Sequence, residues 1–295
     1  MTDDAPVSNR RPLLIMAASA VCFALMAFAA KLASAGLPGS QVAFVRFIVM
    51  LLPVLAVPRL ARKAMEFQRL DLLLYRGVFG GTAVLLYFLA IAHIPVGIAT
   101  LMNYSSLIFS VPFAAVFLGE RVDRRLLLPL AAALAGLGLV TLGDGASRSF
   151  LHLGTWELAG LGSSILSGAA LTAIRAARRT EGSWAIYGSF SLFGLLSTAP
   201  FGIPGFLPPT TREWLLLVFI GVSSVIAQLL MTWAYRWVTN LQAGVISQLT
   251  VVVSMLLGVT FLEDRLTTAQ ILGSFLTLGG VIGVAWLQST PRALE

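Results

Sequence analysis

Apolar residues run along this chain in ten long blocks, at 13–35, 40–57, 72–92, 96–118, 126–142, 156–175, 184–202, 214–235, 241–262 and 267–287, separated by glycine, proline or charge. A bilayer core of about 30 Å needs roughly 20 apolar residues per helix, so each block predicts a membrane-spanning helix. Ten such blocks use nearly the whole chain and leave no stretch for a soluble domain. The expected fold class is an all-α integral membrane protein of ten transmembrane helices.

Composition agrees. Of 295 residues, 58% are hydrophobic and 11% charged, and a mean hydropathy of +0.89 describes more apolar surface than one water-facing core can bury. The formal charge of +7 sits in short Lys and Arg clusters between the blocks, which points to anionic lipid headgroups and away from nucleic acid. Cys22, the single cysteine, lies inside the first block, so neither a disulfide framework nor a cysteine-based metal site is available. Arg10, Arg11 and Ala27-Phe28-Ala29 imitate a signal peptide. That block exceeds the usual signal core of about 7–15 residues, however, and it belongs to the repeat described next, so a retained helix is expected. With the N-terminus in the cytoplasm, thirteen loop Lys and Arg residues fall inside and only Arg148, Arg212 and Arg265 outside. The positive-inside rule then predicts both termini in the cytoplasm, which requires an even number of spans.

Sliding the chain against itself gives one ungapped register at an offset of 144 residues. Lys31 falls on Arg175, Gly77-Val78 on Gly221-Val222, Leu85-Leu86 on Leu229-Leu230, Phe117-Leu118 on Phe261-Leu262, Arg121 on Arg265 and Gly136 on Gly280. Apolar matches are weak signals in such a sequence, so the basic pair and the Phe-Leu-x-x-Arg turn carry the inference. The expected domains are two five-helix repeats, residues 1–147 and 148–295. Five is odd, so the second repeat enters the membrane upside down relative to the first. Inverted repeats place a site near the midplane between them, exposed to each side in turn as the halves rock.

The stretch from Ala99 through Phe117-Leu118-Gly119-Glu120-Arg121 to Gly136, and its repeat from Ala243 through Phe261-Leu262-Glu263-Asp264-Arg265 to Gly280, resemble the EamA type of the drug/metabolite transporter superfamily, which is built from duplicated five-helix halves. The likeness covers almost the whole chain. Pro112 suits the proline often found in the family's fourth span, although its repeat position here is Leu256. Within the superfamily the chain is most similar to amino-acid and metabolite exporters of the YddG kind. The resemblance implies a multi-pass secondary transporter of a bacterial-type inner (plasma) membrane. Its implied partners are a small-molecule substrate and the lipid bilayer, and it implies no cofactor.

All thirteen acidic residues lie at or beyond a block end. Proton-coupled carriers usually set a titratable group in the pathway; only His93, at the end of the third block, is a candidate here, so obligatory proton coupling is not expected. No HExxH, Gly-x-Ser-x-Gly, Walker sequence or Cys/His cluster occurs. Neither a catalytic constellation nor a metal site is therefore expected, and the chain does not read as an enzyme.

Basic residues within the blocks are more informative, because a charge at mid-bilayer costs roughly 2.5–3.5 kcal/mol on insertion scales. Arg76 is placed to snorkel to the cytoplasmic headgroups. Lys31 and Arg175, near block ends, either snorkel, bind an anionic substrate group or lock a gate. Arg46 lies deeper and has the stronger claim to function.

In the fourth block Asn103, Ser106 and Ser110 share one helical face, and the repeat offset carries them to Ser247, Thr250 and Ser254. Tyr104 and its partner Gln248 sit beside these stripes. Serine and threonine can serve as interhelical glue, but Asn, Tyr and Gln are larger than that role needs. Ser224, Gln228 and Met231 share a face of the eighth block, and Tyr87 and Trp233 add aromatic bulk. These residues predict a pocket for a small solute with an amino-acid-like polar end and an apolar or aromatic remainder. In the last block Gly279-x-x-x-Gly283 allows close helix contact within the monomer; oligomeric state is left open. The expected function is export of amino acids, aromatic ones included, or similar metabolites by alternating access. A channel-like pore or flippase is the alternative, and a membrane-embedded enzyme ranks third.

Overall fold

The computed structural model describes residues 11–119, 123–142, 154–178, 180–234, 237–238 and 240–289. Every regular element among them is helical. The first half supplies α1 (Arg11–Ala33), α2 (Gly39–Ala56), the short α3 (Pro58–Met65), α4 (Leu70–His93), α5 (Val96–Tyr104), α6 (Ser106–Leu118) and α7 (Leu127–Leu142). The second supplies α8 (Thr155–Ala177), α9 (Ser183–Gly202), α10 (Thr211–Ala234), α11 (Asn240–Ser247), α12 (Leu249–Phe261) and α13 (Thr268–Ser289). Arg10, Glu120, Arg121, Asp144, Arg148, His152, Arg179, Arg236 and Arg292 lie outside the described residues, as does the expected repeat boundary at 147/148.

Among the described residues, nine helical stretches are long and apolar enough to cross a membrane. The chain is a multi-pass membrane protein. α9, where the seventh block predicts a span, is 20 residues long. Its serines, glycines and Tyr187 dilute its apolarity below the level of the other nine. Large apolar side chains such as Leu128, Phe117, Phe261 and Phe275 stand exposed on the outside, as lipid-facing residues do.

Two expected spans are not continuous. The fourth breaks at Ser105, between α5 and α6, and the ninth at Gln248, between α11 and α12, so the breaks fall within one residue of equivalent positions in the 144-residue register. At each, backbone bonds tighten to three-residue closures: Ser105 N–H reaches Met102 O (3.2 Å) besides Leu101 O, and Gln248 N–H reaches Val245 O (3.1 Å). Side chains cause this by bonding back one turn. Ser105 Oγ donates to Leu101 O at 2.7 Å and Ser247 Oγ to Gly244 O at 2.8 Å; such back-bonding bends helices. Regular 3.6-residue apolar spacing passes through both breaks unchanged, which is why the pattern alone does not reveal them.

The close contacts establish both the register and a two-fold exchange of halves. A methyl carbon at Gly77 on α4 would overlap Phe193 of α9, and one at Gly221 on α10 would overlap Val49 of α2; the offset of 144 turns one contact into the other. Gly136 of α7 presses on Thr277 of α13, and Gly280 of α13 on Ala133 of α7, again an exchanged pair. At whole-helix level α1 packs along α10 as α4 packs along α8, while α2 meets α9 and α7 meets α13 near the axis. α3 breaks the symmetry. Pro58 pre-sets its first turn, Arg59, Arg62 and Lys63 face outward, and buried Ala64 packs on Gly188 of α9.

The glycine expectation for the last span needs correction in one member. Gly283 approaches Pro129, but Gly279 has nothing near it, and the tight contacts are Gly273 and Gly280. A side-chain carbon at Gly280 would stand 2.6 Å from Ala133 N and Pro129 O. Those are backbone atoms that cannot swing aside. Gly280→Ala should therefore force α7 and α13 apart at a cost of roughly 1–3 kcal/mol, seen as a lower yield of monodisperse protein and a lower Tm in detergent.

Candidate substrate site

The most buried charged side chain among the described residues lies where the halves meet. Arg46 extends from α2 and is only 4% exposed. Its Nε donates to Ser224 Oγ of α10 at 2.8 Å, and Ser224 passes its own proton to Ile220 O at 2.7 Å. The guanidinium carbon stands 5.2 Å from the ring centre of Phe47 and 5.7 Å from that of Phe88. Tyr87, Tyr187 and Tyr104 all lie within electrostatic range. Rings stabilise the cation but leave a donor over, for Nη1 is buried with no hydrogen-bond partner.

Arg76 was expected to snorkel, and it does not. It is 8% exposed, with its guanidinium 4.0 Å above the ring of Phe190 on α9 and its Nε buried without a partner. Gly80, one turn along α4, explains the turn inward: a methyl carbon there would overlap Arg76 Nη1 and lie 3.1 Å from Phe190. The repeat register gives this arrangement a further meaning. Arg46 corresponds to Phe190 and Ser224 to Gly80, so the place that Arg46 and Ser224 occupy on one side of the axis is filled on the other by the Arg76 head group between Gly80 and Phe190. The two guanidinium charges are close enough to repel.

Of the predicted pocket residues, Tyr87 and Tyr104 belong to this centre. Tyr87 is buried and its hydroxyl meets Thr100 Oγ1 at 2.8 Å. Because Thr100 already donates to Val96 O, Tyr87 is the donor. The polar stripes instead face each half's neighbour. Asn103 donates to Ser163 (2.6 Å) and Ser167 (3.1 Å) of α8, and Thr250 to Ala20 O of α1 at 3.1 Å. Ser106 and Ser254 are buried, Ser110 bonds back to Leu107 O, and Ser247 and Gln248 bond back to Gly244 O at the helix break. Gln228 is half-buried on α10. Trp233 was expected in the pocket, but it is 43% exposed on the outward stripe of α10 with Ile226 and Leu229 and leans on Trp237, ring centres 6.3 Å apart. It belongs with the aromatic residues of the membrane interface.

The expected gating residues separate. Lys31 Nζ donates to Ile94 O at 2.9 Å just past the end of α4, where carbonyls favour a cation. Asp264, which the sequence did not single out, lies within electrostatic range of Lys31, and its Oδ2 accepts the Val96 N–H at 2.9 Å. A carboxylate from the second half thus caps α5 of the first, beside a tight contact in which a methyl carbon on Gly97 would stand 2.7 Å from Met255 Cα. His93 is exposed, donates from Nδ1 to Leu89 O (2.9 Å) and stacks on Trp156 with ring centres 3.4 Å apart. Arg175, its counterpart Lys31 notwithstanding, is exposed in the last turn of α8. Among the described residues no group of His, Cys, Asp and Glu has the arrangement of a metal site.

These features define a duplicated helical membrane transporter, and comparison with known proteins agrees. The model of the EamA-like transporter family matches residues 10–142 and again 154–286, two matches that begin 144 residues apart. The chain belongs to that family, and so to the drug/metabolite transporter superfamily, a group of transporters and not of enzymes. It is 31% identical over 224 residues to the pseudopaline exporter CntI of Pseudomonas aeruginosa (strain UCBPP-PA14), covering 76% of this chain and 78% of that one. It is 27% identical over 278 residues to an uncharacterized transporter of Helicobacter pylori (strain 26695), covering 90% and 88%. A crystal structure with 21% sequence identity shares the fold at a TM-score of 0.62 over 96% of this chain and 98% of that one.

Proposed function

We propose that the chain is a ten-span carrier, α9 included, which exports amino acids or similar small metabolites by alternating access between inverted halves. One observation carries this reading. The exchange of halves that relates most contacts fails at the broken spans: α5 packs on α12, whereas α6 and α11, their counterparts, make no comparable packing among the described residues. Symmetric sequence with asymmetric packing is what a two-state carrier held in one of its states displays. With both termini in the cytoplasm of a bacterial-type inner membrane, the α5–α12 seal with Lys31 and Asp264 closes the outer face and the site opens inward, ready to load an export substrate.

The site centres on Arg46, Tyr87 and Tyr104 between the halves, with Asn103, Gln248 and the two breaks governing how the fourth and ninth spans move. The relative named as a pseudopaline exporter supports export as the direction. No carboxylate is assigned to the pathway, so transport runs without obligatory proton coupling. Counterflow in proteoliposomes without a pH gradient tests this. Saturable exchange is expected; ohmic single-channel currents would establish a pore instead, and strict dependence on an imposed gradient would implicate His93.

A further inference from the structure

Two arginines within the spans are more than nine-tenths buried, each with an N–H that no described residue accepts: Arg46 through Nη1 and Arg76 through Nε. Their surroundings supply ring faces, the neutral phenols of nearby tyrosines and one serine hydroxyl, and Arg76 lies within range of the Arg46 charge. A buried cation normally keeps a carboxylate partner, because an unpaired charge in a low-dielectric interior is strongly disfavoured and a like charge nearby adds to the cost. Here two such cations lie against the contacting rings of Phe47 and Phe190, and neither has an ion-pair partner among the described residues. No described residue supplies the partner, and a bound solute can.

We propose that Arg46 and Arg76 are a paired anion site, and that the exported metabolites carry two carboxylate groups, one for each guanidinium. This rests on the carrier reading above and narrows it. Geometry supports two prongs and not one. The register places the Arg46–Ser224 pair and the Arg76 head group at matching positions on either side of the pseudo-two-fold axis, with Gly80 providing the room that Arg76 needs. An arginine fork suits a carboxylate, which takes two parallel N–H bonds. Tyr87, Tyr104 and Phe88 then bound the carbon skeleton between the two acid groups.

The test is export from intact cells. Culture media of cells producing the full chain, Arg46→Gln, Arg46→Lys or Arg76→Gln at matched membrane abundance are compared with vector controls by untargeted mass spectrometry. Compounds released by the parent protein should each contain at least two carboxylates. Arg46→Gln should cut their release at least tenfold, and Arg46→Lys, which keeps the charge but not the fork, should fall between. Arg76→Gln should shift release toward compounds with one carboxylate. That change of product is a gain that misfolding cannot imitate. Release of neutral or cationic compounds by the parent, or an unchanged product set from both Gln variants, overturns the paired site and leaves the carrier standing. Absence of any release by the parent overturns the export reading and the paired site with it.

Discussion

Oxidising a variant with cysteines at positions 97 and 255 should abolish exchange, and reduction should restore it. A carbon at Gly97 would lie 3.0 Å from Met255 Cβ, a few tenths of an ångström inside the roughly 3.5–4.5 Å range of disulfide-linked Cβ atoms. Because the same carbon would stand 2.7 Å from Met255 Cα, closing the bond requires the start of α5 and the middle of α12 to move apart by about half an ångström. On the alternating-access reading proposed above this contact seals one face only, so a covalent link there holds one state and forbids the other. The variant is Gly97→Cys with Met255→Cys in a Cys22→Ser background, since Cys22 is a free thiol. Turnover should fall to background after mild oxidation and return after dithiothreitol, with binding at the inward-facing site retained throughout. Uninhibited exchange by a fully cross-linked sample would show that α5 and α12 never part, and would remove the basis for alternating access.

The gate shows how far the sequence can be read. Periodicity located the spans because lipid demands a fixed apolar length, and the 144-residue register survived because helix contacts through Gly77, Gly136, Gly221 and Gly280 depend on small residues at fixed places. The gate itself was half visible. Lys31 drew attention as a charge in an apolar block, whereas Asp264 looked like one more loop acid. Its role comes from folding back across the halves to reach Val96, and no local pattern records that.

The site was legible in the same uneven way. Arg46 stood out by cost alone, and Tyr87 and Tyr104 by size. The pairing of Arg46 with Ser224 spans the two halves and needs three dimensions. Arg76 misled because a block end normally allows snorkelling; the decisive clue, Gly80, became meaningful only once its repeat partner Ser224 was seen to hold Arg46. The polar stripes follow from spacing along an unbroken helix, but spacing shows neither the breaks at Ser105 and Gln248 nor what each residue faces. The structure turns Asn103 toward α8 and Thr250 toward α1, each the first helix of the opposite half.

Replacing Glu181 with alanine should lower stability far more than transport per folded molecule. Glu181, in the link between α8 and α9, is buried, and its Oε1 accepts the backbone N–H groups of Gln68 (2.9 Å) and Arg69 ahead of α4. Gln41, in the first turn of α2, makes a comparable tie with the roles of the halves reversed, bonding both the N–H (3.0 Å) and the carbonyl (2.8 Å) of Leu207 ahead of α10. Each tie fastens one half to the segment that leads into α4 or α10 of the other, across helices that obey the two-fold exchange and so belong to the frame against which the broken spans move. Loss of the Glu181 carboxylate leaves two N–H groups without their charged acceptor, a cost of roughly 2–3 kcal/mol. Glu181→Gln, which keeps an acceptor oxygen, should cost distinctly less. Thermal unfolding in detergent should rank parent above Glu181→Gln above Glu181→Ala, while turnover normalised to folded protein changes by less than about twofold, a difference below roughly 0.4 kcal/mol in barrier height. A Tm equal to the parent's with a collapsed turnover would instead make Glu181 part of an inner gate, and the frame would have to be redrawn around the spans that remain.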